Sequence, residues 1–149
     1  LANGFKVTGI EPSPSMRRIA EAKVSDEAVL LDGDFLNFTE IMNIDTFVST
    51  YAFHHLTDEE KAKAIAHYSK RLSKDGRIVF ADTMFETKET YNKQIVKAKN
   101  KGFHNLAKDL ETEYYTTIPF LSSILEKNGF SVTFTRFNDF VWLMEGVKQ

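Results

Sequence analysis

Polar residues with ligand-binding chemistry follow two apolar runs near the start of this sequence. Glu11 comes directly after the β-branched run at 6–10, where a carboxylate can accept hydrogen bonds from both hydroxyls of a ribose. Asp34 and Phe35 follow the run at 29–31, so an acceptor for an exocyclic amine stands beside a ring that can pack on a purine. The alternatives are a solvated carboxylate for Glu11 and an Asp-Gly turn with Phe35 in the core.

A third group of polar side chains ends the apolar run at 46–51. The hydroxyls of Ser49 and Thr50, together with the carbonyl groups exposed at a strand end, can hold a zwitterionic ligand. The alternative is a strand end with polar caps. His54 follows shortly after, and its ordinary pKa near neutrality suits a general base, which is needed only where the acceptor loses a proton.

The histidines do not predict a metal site. His54 and His55 are adjacent, so we expect their side chains to point apart on a strand or a helix alike. His67 and His104 are isolated in helical patterns, and no carboxylate pair or third ligand completes a set. The chain also has no cysteine, which excludes disulfides, thiolate zinc sites and a cysteine nucleophile.

The elements that position these residues alternate between strands and helices. Apolar runs predict strands at 6–10, 29–31, 46–51, 77–81, 130–137 and 140–147. Capping residues and apolar faces predict helices after Ser13, Thr57, Thr87 and Thr117, and over 103–110. This alternation favours an α/β fold with a doubly wound, mostly parallel sheet. The short link at Asn138 and Asp139 makes the last two strands an antiparallel hairpin.

Composition places the chain among globular domains and narrows its partners. Its 149 residues suit one domain, and 42% of them are hydrophobic. Lys and Arg number 19 against 21 Asp and Glu, and the net charge of −2 argues against a nucleic-acid groove. No apolar run approaches the ~20 residues of a membrane span, and no secretory signal is visible. We therefore predict a cytoplasmic protein with no nucleic-acid or membrane partner.

Four motifs stand in order at the successive strand ends. They are Gly-Ile-Glu-Pro-Ser at 9–13, Asp-Gly-Asp-Phe at 32–35, Ile-Asp-Thr-Phe-Val-Ser-Thr-Tyr-Ala-Phe-His-His-Leu at 44–56 and Gly-Arg-Ile-Val-Phe-Ala-Asp at 76–82. Together with the C-terminal hairpin they resemble class I S-adenosylmethionine-dependent methyltransferases, from Val7 to the end of the chain. The resemblance is most specific for the uncharacterised bacterial YrrT-like methyltransferases, at Tyr51–Thr57, Asp109–Pro119 and Phe140–Met144.

The resemblance implies S-adenosylmethionine as cofactor and a role for each motif. By position, Glu11 would hold the adenosyl ribose. Asp34 would meet the adenine amine, with Phe35 beside the ring. Ser49 and Thr50 would lie near the methionine part of the cofactor.

The resemblance also implies where a small-molecule acceptor would bind. His54 would sit at the mouth of the site, closer to the methyl group. The segment 88–117 would be a helical insertion on the substrate side, where Tyr114 and Tyr115 could contact the acceptor. The alternative, which we favour for the two tyrosines, is a solvated acidic turn with one buried tyrosine.

One part of the family pattern is absent from this sequence. The glycine-rich first motif and its strand would precede Leu1, and Leu1–Phe5 itself is typical of a helix end with Gly4 as its stop. We therefore expect an N-terminally truncated domain that binds the cofactor weakly or not at all. The missing strand would lie between the strands at 6–10 and 46–51. We expect one of three outcomes: another segment fills that place, the two strands pair directly, or the fragment folds poorly.

Two other functions fit parts of the pattern. A nicotinamide-dependent oxidoreductase also places an acidic residue on a ribose after its second strand, but the hairpin and the Ser49–Leu56 run favour the methyltransferase. A domain that acts only by association would use strand edges left open by an incomplete sheet, which also makes self-association an expectation. Binding of reduced nicotinamide tests the first, and sedimentation tests the second.

Overall fold

The computed structural model describes residues 4–24 and 28–149 and divides the chain into two compact units, Leu1–Met42 and Asn43–Gln149. Each unit is described by itself. A single methyltransferase-type domain over 1–149 stays a prediction. Most of the predicted helix end, at residues 1–3, lies outside the described residues, and Gly4 adopts a left-handed φ of +78°.

The first unit contains a strand–helix–strand motif. Strand β1 (Val7–Ile10) and strand β2 (Ala28–Leu31) pair in parallel, and helix α1 (Pro14–Val24) connects them. A parallel pair requires such a crossover. The hydroxyl of Ser13 lies 3.4 Å from the backbone nitrogen of Met16, which is the contact expected of a helix N-cap. The strands predicted at 6–10 and 29–31 are therefore confirmed.

The second unit is built on a five-stranded sheet in the order β3-β4-β7-β6, with β5 paired to β4. Its strands are β3 (Thr46–Thr50), β4 (Arg77–Phe85), β5 (Thr116–Thr117), β6 (Phe130–Arg136) and β7 (Val141–Lys148). Strands β3 and β5 run parallel to β4, whereas β7 is antiparallel to both β4 and β6. The α/β fold with a C-terminal antiparallel hairpin is confirmed.

The helices of the second unit are a 3₁₀ turn (Phe53–His55), α2 (Asp58–Ser69), α3 (Lys88–Asn100), α4 (His104–Thr112) and α5 (Ile118–Lys127). Helices α2, α3 and α5 begin directly after the predicted caps, and α4 matches the helix predicted over 103–110. The 3₁₀ turn was not predicted. Thr57 and Glu60 form a capping box, in which each side chain accepts from the other residue's backbone N–H.

Strand β4 is longer than the predicted 77–81. It continues to Phe85 because its last residues gain partners that are distant in sequence: Thr83 lies opposite Val141, and Met84 lies opposite Thr116. Along β4 the side chains alternate, and Ile78, Phe80 and Met84 are buried in the main core of the unit.

The insertion predicted at 88–117 has a core of its own. Helices α3 and α4 pack around buried Phe85, Tyr91 and Leu110. The hydroxyl of Tyr91 donates to the carbonyl oxygen of Leu110, so the two helices are also joined by a buried hydrogen bond. Burial raises the pKa of Tyr91, and Glu111 adds to the effect. Within the described residues, no helix is both long and apolar enough to cross a membrane.

Candidate functional site

The turn that follows β3 carries the histidines of the candidate site. Tyr51 leaves the strand with φ +50°, and its backbone N–H donates to the carbonyl oxygen of Ala81 at 2.9 Å. Phe53 is buried and contacts Phe80 edge-on, with ring centroids 4.9 Å apart. This packing anchors the turn at the carboxyl end of β3, and the carboxyl ends of parallel strands are where open α/β sheets bind ligands. His54 is the next residue.

His54 is held by Asp82, a residue of β4 that the sequence analysis did not single out. The ring Nδ1 of His54 lies 2.7 Å from Asp82 Oδ1, and the backbone N–H of His54 donates to Oδ2 at 3.1 Å. The side chains are 13% and 3% exposed. Because an ionised carboxylate only accepts, Nδ1 carries a proton and Nε2 is the nitrogen that can keep a lone pair. The pair is therefore a positioned imidazole with one available nitrogen.

Tyr115 packs beside this pair, whereas the side chain of Tyr114 is exposed. The ring centroids of Tyr115 and His54 are 5.1 Å apart. The Tyr115 hydroxyl donates to Asp109 at 2.8 Å. Burial raises the pKa of Tyr115, and the Asp109 carboxylate raises it further. Tyr114 is 53% exposed, and its backbone N–H donates to the carbonyl oxygen of His54 at 3.1 Å. The structure thus brings the predicted acceptor-side segment to His54.

A buried lysine, also missed in the sequence, joins the histidine turn to this segment. Lys61 is 1% exposed, and its ammonium donates to the carbonyl oxygens of Leu56 and Tyr114. Its third neighbour is Asp58, at 3.6 Å. Burial lowers the pKa of Lys61, and Asp58 opposes this shift in part. One cation therefore fixes two loops that come from distant parts of the chain.

The expectation that the adjacent histidines point apart is wrong. The ring centroids of His54 and His55 are only 4.3 Å apart, because both residues lie in a 3₁₀ turn rather than on a strand or an α-helix. The Nδ1 of His55 also lies 3.0 Å from Glu113 Oε2. The adjacency of His54 and His55 in the sequence therefore does not argue against the binding of one metal ion by both rings.

Ser49 and Thr50 are the last two residues of β3. In the parallel register they lie opposite Phe80 and Ala81 of β4, at the same end of the sheet as the histidine turn. Ser49 is partly buried, and Thr50 is exposed. Their contact with the methionine part of a cofactor stays a prediction.

In the first unit, Glu11 and Asp34 are both held by local hydrogen bonds. Glu11 Oε1 accepts from the backbone N–H of Ser13 at 2.8 Å. Asp34 Oδ1 accepts from the backbone N–H groups of Leu36 and Asn37 at 2.7 and 2.8 Å. Burial raises the pKa of Asp34, but these hydrogen bonds lower it by more, so the carboxyl lies below its ordinary value.

An open cleft of about 640 Å³ lies beside Asp34 in the first unit. It is lined by Pro12, Asp32, Gly33, Asp34, Leu36, Asn37, Phe38 and Thr39. The aromatic ring in this lining is that of Phe38, whereas Phe35 is not part of it. The predicted roles of Glu11, Asp34 and Phe35 in binding a cofactor stay predictions.

Arg17 braces the loops beside this cleft. Its guanidinium donates to the carbonyl oxygen of Glu11 and to Asp32 Oδ1, the latter at 2.6 Å. Helix α1 is thereby tied to the ends of both strands of the first unit. The sequence offered no signal for this bridge, because Arg17 is 6 positions from Glu11 and 15 positions from Asp32.

Comparison with known proteins identifies the family. The sequence profile described as "Methyltransferase domain" matches residues 1–80. An uncharacterized methyltransferase of Bacillus cytotoxicus is 60% identical over all of this chain, which spans 70% of that relative. A second, from Bacillus mycoides, is 58% identical over the same share. The chain therefore belongs to the methyltransferase domain family, as the motifs predict.

Solved structures share the fold at low sequence identity. The magnesium protoporphyrin IX methyltransferase of Synechocystis with bound SAH has a TM-score of 0.70 at 18% identity, over 99% of this chain and 66% of that chain. Human N-acetylserotonin methyltransferase in complex with SAM has a TM-score of 0.69 at 15% identity, over 98% of this chain and 41% of that chain. The α/β methyltransferase fold is thus confirmed.

Proposed function

We propose that this chain is part of an S-adenosylmethionine-dependent methyltransferase that acts on a small molecule. The observation that carries the proposal is the His54–Asp82 pair, which lies at the carboxyl end of β3 and beside the middle of β4. Family membership and the SAM and SAH named with its structural neighbours support the cofactor. The same family match favours this function over the nicotinamide-dependent alternative.

The cleft in the first unit has the donor set that an adenosine needs. Asp32, Asp34 and Asn37 supply acceptors and an amide, and Phe38 supplies an aromatic face. Asp34 Oδ1 accepts two backbone N–H groups of its own turn, whereas the contact of Oδ2 with the Asn37 amide is long, at 3.4 Å. We therefore assign Oδ2 as the acceptor for an exocyclic amine. We place the purine beside Phe38 rather than the predicted Phe35.

Glu11 is proposed to hold the ribose. Its Oε1 is fixed by Ser13, which orients the carboxylate and leaves Oε2 as an acceptor for ribose hydroxyls. A place for Ser49 and Thr50 near the methionine part of the cofactor stays a prediction from the family resemblance.

His54 is proposed to take the proton that the acceptor loses. When bound, S-adenosylmethionine supplies a methyl group on a sulfonium, and displacement at this methyl needs alignment of the acceptor above all. The Nε2 lone pair of His54 accepts the acceptor's proton, while Asp82 holds the ring and stabilises the imidazolium that forms. His54 is the catalytic residue in this account, and Asp82 is a positioning residue.

The acceptor side is proposed to be the α3–α4 segment. Tyr114 is exposed and offers its hydroxyl, whereas the Tyr115 hydroxyl is engaged by Asp109, so Tyr115 offers its ring face beside His54. We propose a small molecule as the acceptor. Three further expectations stay predictions: a cytoplasmic location, the absence of nucleic-acid and membrane partners, and self-association through an incomplete sheet.

A thermal-shift comparison of ligands tests the cofactor class. A ligand that binds only the native state raises the midpoint of unfolding with its concentration. We expect SAM and SAH to raise this midpoint and NADH to leave it unchanged, with millimolar ligand because weak binding is predicted. A shift with NADH alone would favour an oxidoreductase. No shift with any of the three ligands would mark the chain as an incomplete enzyme, and sedimentation would then test whether it acts by association.

A further inference from the structure

The turn after β3 and the end of α4 bring three metal-ligating side chains together. One ring nitrogen each from His54 and His55 and one carboxylate oxygen from Glu113 all lie within 4.8 Å of one another. These residues come from two segments that Lys61 and the Tyr114–His54 hydrogen bond hold together. We infer that His54, His55 and Glu113 bind one divalent transition-metal ion, such as Zn²⁺ or Co²⁺. This inference goes beyond the proposed methyl transfer.

The chemistry of the donors selects this class of ion. Two imidazoles and one carboxylate suit zinc, cobalt or nickel, whereas magnesium and calcium prefer oxygen ligands alone. Three protein ligands with one open position are typical of accessible zinc sites. Ligand atoms around a tetrahedral zinc ion lie about 3.3 Å apart. His55 Nδ1 and Glu113 Oε2 are 3.0 Å apart, and their side chains are 58% and 29% exposed, so neither is locked in a packed core.

Asp82 is the hydrogen-bond partner behind His54 that metal-binding histidines commonly have. A carboxylate that accepts from Nδ1 fixes the ring and leaves Nε2 as the nitrogen that can bind an ion. The 2.7 Å contact of Asp82 with His54 has this form. If His55 and Glu113 formed only a surface ion pair, that pair would not involve His54 or the buried carboxylate of Asp82. The metal site accounts for both contacts together.

The ion and an acceptor proton would use the same lone pair on His54. Bound Zn²⁺ therefore excludes a role of His54 as base, and an ion at this site is expected to inhibit methyl transfer that depends on that role. Metal binding is measured in the absence of cofactor and acceptor. A protein that binds no metal would therefore overturn this inference without contradicting the proposed methyltransferase function.

Calorimetric titration of the untagged 149-residue chain with Zn²⁺, Co²⁺ and Mg²⁺ tests the inference. We expect one saturable site for Zn²⁺ and Co²⁺ and none for Mg²⁺. Visible absorption of the Co²⁺ form reports tetrahedral coordination. Glu113→Gln and His55→Ala, both at partly or fully exposed side chains, should weaken Zn²⁺ binding at least tenfold, and Asp82→Asn about 10- to 100-fold.

Matched controls are Glu111→Gln and His104→Ala, which remove a carboxylate and an imidazole outside the cluster and should leave affinity unchanged. Thermal melting of each variant checks folding, and the exposed His55 keeps the test valid if Asp82→Asn unfolds. No saturable Zn²⁺ binding, or equal affinity in wild type, Glu113→Gln and His55→Ala, would overturn the inference.

Discussion

Asp82 accepts two hydrogen bonds from a single residue, His54: one from ring Nδ1 and one from the backbone N–H. The two bonds fix the ring and the turn that carries it at the same time. The backbone N–H of Thr83 also donates to Asp82 Oδ1, at 2.7 Å, so the carboxylate itself cannot rotate freely. The orientation of His54 is therefore set before any ligand binds.

Replacement of Asp82 by Asn is expected to change the tautomer of His54. An amide offers one acceptor oxygen where the carboxylate offers two, so the backbone N–H and the ring Nδ1 of His54 compete for it. The amide NH₂, turned toward Nδ1, then favours the tautomer with its proton on Nε2. We expect kcat for methyl transfer to fall about 10²-fold or more, while KM for S-adenosylmethionine is unchanged. Nitrogen-15 NMR of the His54 ring reads the tautomer directly, and the exposed Asp139→Asn is the control. An unaltered tautomer with unaltered kcat would refute the role of Asp82.

The Lys61→Met variant tests the buried ammonium. Methionine has a similar shape but leaves the carbonyl oxygens of Leu56 and Tyr114 without this donor. We expect the free energy of unfolding to fall by about 2 kcal/mol, since an unsatisfied buried acceptor costs about 1–3 kcal/mol. Urea denaturation measures it, with the exposed Lys63→Met as control on the same helix. A Lys61→Met protein as stable as wild type would show that the desolvation of the ammonium cancels its bonds.

Gly33 shapes the cleft of the first unit. It has φ +151°, and a Cβ there would lie 2.7 Å from the carbonyl oxygen of Asn37. Gly33→Ala should therefore displace the Asp34 turn and weaken SAH binding about tenfold or more, as measured by calorimetry. The Gly102→Ala control also has a positive φ but meets nothing within 4 Å, so it should leave SAH affinity unchanged. Equal SAH affinity in Gly33→Ala and wild type would show that the Asp34 turn does not contribute to cofactor binding.

His67 should make the stability of the fold depend on pH. Burial lowers the pKa of His67 from its ordinary 6.5, and the charges of Arg71 and Lys70 lower it further. Between the native pKa and 6.5 the unfolded chain binds more protons than the native protein, so the free energy of unfolding falls as pH falls through 6.5. Urea midpoints at pH 7.5 and pH 5 measure this loss.

The contribution of His67 is isolated by difference. His67→Gln should lose less stability than wild type between the two pH values, because Gln does not titrate. His104→Gln removes an exposed histidine and is the control. The same loss in His67→Gln and wild type would contradict the assignment of this pH dependence to His67.

The strands, the helix starts and the hairpin could be predicted because each has a local signal. Thr57 and Glu60 stand three residues apart in a capping box, and Asn138 and Asp139 leave room only for a tight turn. The end of β4 could not be predicted in this way, since its last residues are ordered by pairing with Val141 and Thr116.

The partners of the site were harder to find because they are distant in sequence. Asp82 is 28 residues from His54, although its place in the buried alternation with Phe80 and Met84 was a usable signal for a functional carboxylate. Lys61 lies in the charged first turns of α2 and reads as solvated. One of the two carbonyl groups that accept from its buried ammonium, that of Tyr114, is 53 residues away in the sequence.

Calorimetric titration with SAH tests the central claim, that this chain holds S-adenosylmethionine through Glu11. The account predicts weak one-site binding to the wild-type chain, measurable at millimolar SAH, and affinity at least about tenfold lower in Glu11→Gln, because the neutral amide is a weaker acceptor for ribose hydroxyls. The exposed Glu40→Gln, also in the first unit, should bind as wild type does. Saturable binding that is the same in Glu11→Gln and wild type, or no binding at millimolar SAH, would contradict the claim.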